Sequence, residues 1–119
     1  MNNNNKLLAF ISLVLSLSII FAGTNVYAET TFEKIKRTGK VTVGTEAAFP
    51  PFEFVEDGKI VGYGKDILDY IIADMGVELN QLDLPWQGIL PGVLAGKFDF
   101  VATSVSIRAE RAKKYAFTV

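Results

Sequence analysis

The chain has 119 residues and a formal net charge of −1, from 12 basic and 13 acidic side chains. That balance offers no basic footprint for nucleic acid or for an acidic membrane surface. Cysteine and histidine are both absent, which excludes disulfides, thiolate or imidazole metal sites, lipid attachment at an N-terminal cysteine, and any catalytic triad built on those residues. A metal would need carboxylates alone, and none cluster at ligand spacing. No metal and no cofactor are expected.

Residues 1–28 have the pattern of a cleaved secretory signal peptide. Met1 to Lys6 is polar with one lysine, and Leu7 to Ala22 is almost unbroken apolar chain. That run is shorter than the roughly 20 residues a membrane-spanning helix needs. It is followed by Val26-Tyr27-Ala28, a cleavage-like end. Residues 29–119 are then the folded part.

Thr30 to Arg37 reads as a short helix, because Thr30 and Glu33 have capping-box spacing and Gly39 is placed to end it. Val41-Thr42-Val43-Gly44 reads as a strand, and Thr45 to Pro51 as a loop. Phe52 to Val55 is extended, and Asp57-Gly58 turns it back through Ile60-Val61 as a hairpin. Lys65 to Met75 is the clearest helix. Ile67, Leu68, Ile71, Ile72 and Met75 share one face, while Asp66, Asp69 and Asp74 form a solvated face. Gly76 stops it.

Val77 to Leu84 alternates as a strand that Pro85 ends. Gln87 to Ala95 is a helix with Ile89, Leu90, Val93 and Leu94 inward and Pro91 placed in its first turn. Phe98 to Ala102 is an apolar strand, and Glu110 to Lys114 a short charged helix. The last residues, Tyr115 to Val119, look like another strand starting, so the chain is expected to be part of a longer protein. Strands alternating with helices predict an α/β fold with a mostly parallel sheet and flanking helices.

In an open parallel sheet, ligands bind outside the carboxyl ends of the strands. Three loops leave that edge. The first carries Thr45, Glu46 and Phe49, the second Trp86, and the third Thr103, Ser104 and Ser106, with Arg111 a turn beyond. The guanidinium of Arg111 offers a planar fork that matches a carboxylate. The serines offer hydroxyl and backbone contacts to a carboxylate and an ammonium. Phe49 and Trp86 are loop aromatics suited to sandwich a ligand side chain. Glu46 suits a polar or cationic one. The plain alternative is an ordinary strand-to-helix connection with a solvated arginine.

At Gly44-Thr45-Glu46-Ala47-Ala48-Phe49-Pro50-Pro51-Phe52-Glu53-Phe54 the sequence resembles the bacterial extracellular solute-binding proteins of family 3. The resemblance runs through Gly62-Tyr63, Trp86-Gln87-Gly88-Ile89-Leu90-Pro91 and Ser104-Val105-Ser106-Ile107 to Glu110-Arg111-Ala112-Lys113-Lys114. It implies a periplasmic-binding-protein-like type II fold, of which residues 29–119 are a partial N-terminal lobe. It implies a periplasmic amino-acid receptor for an ABC importer, not an enzyme. Its partners would be a polar or basic L-amino acid and an inner-membrane permease. It would act as a monomer, soluble and not lipid-anchored.

By the same resemblance, Arg111 matches the α-carboxylate clamp. Ser106 matches a contact to carboxylate and ammonium, and Ser104 a backbone acceptor for the ammonium. Thr103 matches a pocket-lining position, Phe49 and Trp86 the stacking aromatics, and Glu46 an acidic position near the ligand side chain. Two departures stand out. Arg108 occupies the position of a helix cap, where arginine is poor, and Gly64 stands where an aspartate is common. The same scaffold also suits a cyclohexadienyl or arogenate dehydratase, with Glu46 as general acid, or the ligand-sensing module of a larger protein.

Overall fold

The computed structural model describes residues 2–4 and 27–118. The expected leader lies mostly outside the described residues. Helix α1 spans Thr31–Thr38 and begins with the expected capping box. The Thr30 hydroxyl accepts the Glu33 N–H at 3.2 Å, and the Glu33 carboxylate accepts the Thr30 N–H at 2.8 Å. Two N–H groups at the helix start are thereby satisfied reciprocally. Gly39, at φ 66°, ends the helix and returns its N–H to the Ile35 carbonyl.

Strand β1 (Lys40–Thr45) is the centre of a parallel three-stranded sheet. Strand β5 (Glu78–Asp83) pairs along its whole length, from Lys40 opposite Glu78 to Thr45 opposite Asp83. Strand β6 (Phe100–Val101) pairs on the other side, opposite Val43 and Gly44. It is shorter than the expected Phe98 to Ala102 because Asp99 substitutes its side chain for ladder backbone. The Asp99 N–H donates to the Thr42 carbonyl, while its carboxylate accepts the Thr42 N–H, both at 2.8 Å.

The hairpin forms a second, antiparallel sheet of β2 (Ala48–Phe49), β3 (Glu53–Glu56) and β4 (Lys59–Val61). Asp57 and Gly58 both have positive φ, 48° and 73°, the requirement of a tight two-residue turn matched to strand twist. Strand β2 lies inside the expected loop Thr45 to Pro51. The chain folds back at Pro50-Pro51, so Ala48 and Phe49 pair with Phe54 and Glu53. Thr45 is likewise a strand residue, fully buried at the end of β1.

Helix α2 spans Tyr63–Met75 and starts without a side-chain cap. Its first N–H groups, from Tyr63 and Gly64, go instead to the Pro51 and Phe52 carbonyls at 3.0 and 2.7 Å. That close approach needs Gly62, at φ 117°, where a Cβ would lie 2.5 Å from the Phe52 carbonyl oxygen. Leu68 and Ile72 of α2 join Ile35, Val41 and Val43 in the core. Each such side chain contributes about 1.5–3 kcal/mol when fully buried. Ile67 and Ile71 were expected on that face but are 44% and 45% exposed. The apolar stripe of α2 is wider than the three-stranded sheet beneath it, in which β6 is an edge strand.

The path from β1 to β5 steps one way across the sheet, and the path from β5 to β6 steps back over β1. Right-handed crossovers then place α2 and α3 on opposite faces. Helix α3 (Trp86–Leu94) packs its buried Ile89 and Gly92 inward. The Phe98 ring lies between Gly92 and Gly44, where an added Cβ would approach it to 2.6 and 2.7 Å. Leu94 was expected inward but is 63% exposed. It lies two residues past Gly92, about 200° around the helix. Pro91 sits in the second turn, not the first. Helix α4 is Ala109–Ala112, and its N-cap Arg108 makes no side-chain capping bond.

Candidate ligand-binding site

The three strands of the parallel sheet end at one rim. Glu46 follows β1, Trp86 opens α3 after β5, and Thr103, Ser104 and Ser106 follow β6. Glu46, Phe49, Trp86, Thr103, Ser104, Ser106 and Arg111 all line one cavity of about 480 Å³. Gln87 and Arg108 line it too.

Arg111 is held in two ways. Its Nη1 donates to the Ser106 carbonyl at 3.0 Å, and its guanidinium carbon lies 5.2 Å from the Trp86 ring centroid. The ring face attracts the cation, and the carbonyl uses one of five N–H donors. Among the described residues the remaining donors have no partner and can meet an anion. Phe49 is half exposed and stacks on Phe52, with centroids 5.5 Å apart and planes 19° apart. Phe49 and Trp86 are the two aromatic walls. Among the described residues, Glu46 and Arg108 form no ion pair. Among the described residues, Glu46 is the only carboxylate lining this cavity.

The loops are held from behind by two carboxylates that the sequence reading did not single out. Asp83, the last residue of β5, accepts the Ala47 N–H at 3.0 Å and so fixes the loop that carries Glu46. Glu53 of β3 accepts the Thr103 hydroxyl and, at 2.6 Å, the Ser104 N–H. These two donors are therefore not directed at an anion in the cavity, as the sequence reading allowed. The available signal for Glu53 was its alternation with Phe52 and Phe54, which puts it on the opposite face of the hairpin strand. Thr45 adds a third tie. Its hydroxyl donates to the Ala102 carbonyl at 2.8 Å and accepts from Gln81 Nε2 at 2.9 Å, linking β1 to β5 and to the third loop.

The sequence profile of the bacterial extracellular solute-binding proteins, family 3, matches residues 41–119. The chain belongs to this family. Within it, the L-cystine-binding protein TcyJ of Escherichia coli (strain K12) is 35% identical over 86 residues, covering 71% of this chain and 32% of that one. The chain thus spans about a third of that relative's length. Among solved structures, the arginine-bound form of domain 1 from TmArgBP superposes with a TM-score of 0.64 at 41% identity, covering 67% of this chain and 64% of that one. The ancestral amino-acid-binding protein AncCDT-1, described as a precursor of cyclohexadienyl dehydratase, gives 0.66 at 33% identity, covering 71% and 38%. The fold is the periplasmic-binding-protein-like type II fold, here a part of one lobe. No helix among the described residues is long and apolar enough to cross a membrane.

Proposed function

We propose that this chain carries one wall of the amino-acid site of an ABC importer's periplasmic receptor. The observation that carries the reading is the convergence of Glu46, Phe49, Trp86, Thr103, Ser104, Ser106 and Arg111 on one cavity, from three loops distant in sequence. The free donors of Arg111 take the ligand α-carboxylate in a forked, charge-assisted pair. Ser106 contacts the carboxylate and ammonium, and the Ser104 carbonyl accepts from the ammonium. Phe49 and Trp86 enclose the side chain, and Glu46 receives its polar or cationic end. The ligand class is a polar or basic L-amino acid.

A second lobe of the intact receptor would close over this wall, and a membrane permease would receive the closed form. Residues 1–28 act as the cleaved leader that delivers residues 29–119 to the periplasm. The relatives named as binding proteins support this reading, and so does a single domain of TmArgBP with arginine bound.

Calorimetry with a panel of L-amino acids tests it. The expected result is binding of at least one basic or polar member, lost on Arg111→Ala. A panel without any binder, or an Arg111→Ala variant that binds as well as the parent, sinks the reading.

A further inference from the structure

Glu53 touches no ligand in the reading above, and it is 2% exposed. It stands on β3, in the sheet separate from the one whose edge builds the site. From there it reaches a loop 50 residues further along the chain. Its Oε1 accepts both the Thr103 hydroxyl and the Ser104 N–H, the latter at 2.6 Å. Its Oε2 lies over Gly64, where a Cβ would come within 2.5 Å. Gly64 therefore makes the space that this carboxylate occupies.

The consequence lies in donor counting. A threonine hydroxyl has one proton and two lone pairs. With that proton given to Glu53, the Thr103 hydroxyl can only accept from anything in the cavity. The Ser104 N–H is also consumed, so this peptide cannot donate to an anion. Arg111, which lines the same cavity, is purely a donor. One end of the cavity therefore favours a donor such as an ammonium, and the other a carboxylate.

We propose that Glu53 is a positioning residue that sets the polarity of the site. It takes up the Thr103 hydroxyl proton and the Ser104 N–H, which leaves the Ser104 hydroxyl as the one donor of this segment, so that an amino acid binds with its ammonium there and its carboxylate at Arg111. This rests on the amino-acid reading above.

The test compares L-arginine with 5-guanidinopentanoic acid, its counterpart without the ammonium, on the full chain. In Glu53→Ala, affinity for L-arginine should fall about tenfold or more, while that for the deamino compound changes little. Glu53→Gln keeps an acceptor oxygen and should retain most of the preference. Gly64→Ala, which pushes the carboxylate aside, should reproduce the Glu53→Ala pattern and carries the test if Glu53→Ala does not fold. Equal loss of both ligands in parallel with stability marks a merely structural residue and overturns the proposal. So does an unchanged preference in Glu53→Ala and Gly64→Ala.

Amide hydrogen exchange of Ser104 separates this from the parent reading. If the wild-type chain binds neither compound but binds another member of the L-amino-acid panel, that amino acid and its deamino counterpart replace the arginine pair. If it binds neither compound nor any member of the panel, the amino-acid reading fails. The positioning of the loop is then judged alone: a Ser104 amide protected in wild type and released in Gly64→Ala upholds it, and equal exchange in both overturns it.

Discussion

The Arg111 guanidinium lies over the face of Trp86, 5.2 Å from its ring centroid, while donating to the Ser106 carbonyl. A flexible cation is thus held in place before any ligand arrives. Preorganisation of this kind lowers the ordering cost of binding. Arg111→Ala should weaken amino-acid binding by about 2–5 kcal/mol, the range for truncating one partner of a buried hydrogen-bonded charge pair. Arg111→Lys should recover only a minor part, because a lysine keeps the charge but not the fork. Trp86 is the only tryptophan in the chain, so its fluorescence reports both binding and displacement of the arginine. Equal affinities for Arg111→Lys and the parent would contradict the forked geometry.

Glu46 should act on selectivity more than on affinity overall. Among the described residues it is the one carboxylate in the cavity lining, and it is partly exposed. Glu46→Gln should weaken L-arginine by about 1 kcal/mol, as for a solvent-accessible ion pair. L-glutamine should bind both forms alike. Titration of both ligands into both proteins measures the difference, and raised salt should shrink it.

Asp99 predicts a pH dependence of stability. Burial pushes its carboxyl pKa up, but hydrogen bonds from Lys34 and the Thr42 N–H, with the charge of Lys34, outweigh that and hold it below the ordinary value. The Lys34 Nζ lies 2.7 Å from Asp99 Oδ1, and the Asp99 side chain is 6% exposed. A carboxyl depressed in the folded state stabilises above the unfolded pKa of about 3.9. That stabilisation is lost as pH falls through the lower folded value. Asp99→Asn should therefore be less stable than the parent at neutral pH, and the difference should close in strong acid. Asp99→Ala should cost about 1–3 kcal/mol more directly, by leaving the Thr42 N–H without its acceptor. Urea unfolding at a series of pH values checks both.

Gly92 and Gly44 hold the Phe98 ring between α3 and β1. Gly92→Ala should destabilise by about 1–3 kcal/mol through overpacking, despite alanine's better helix propensity. Gly92→Ala combined with Phe98→Leu should recover part of that loss, which thermal denaturation of the single and double variants measures. A Gly92→Ala variant as stable as the parent would place the ring elsewhere.

Much of this molecule is decided locally and is readable from the chain. The Thr30 and Glu33 cap, the Gly39 and Gly76 stops and the Asp57-Gly58 turn depend on bonds within a few residues. The alternation of strands and helices sets the parallel sheet, and the sheet's carboxyl edge brings Glu46, Trp86 and Arg111 together without reference to any side-chain contact. What only the tertiary structure decides is how those loops are held. Asp83 reaches Ala47 across 36 residues of sequence, and Glu53 reaches Ser104 across 51. The exposure of Ile67 and Ile71 is decided there too, since a helix's periodicity names its apolar face but not the width of the sheet beneath it. The alternation around Glu53 names the face it takes but not its partners, which are donors on a distant loop that become neighbours only once both sheets are in place.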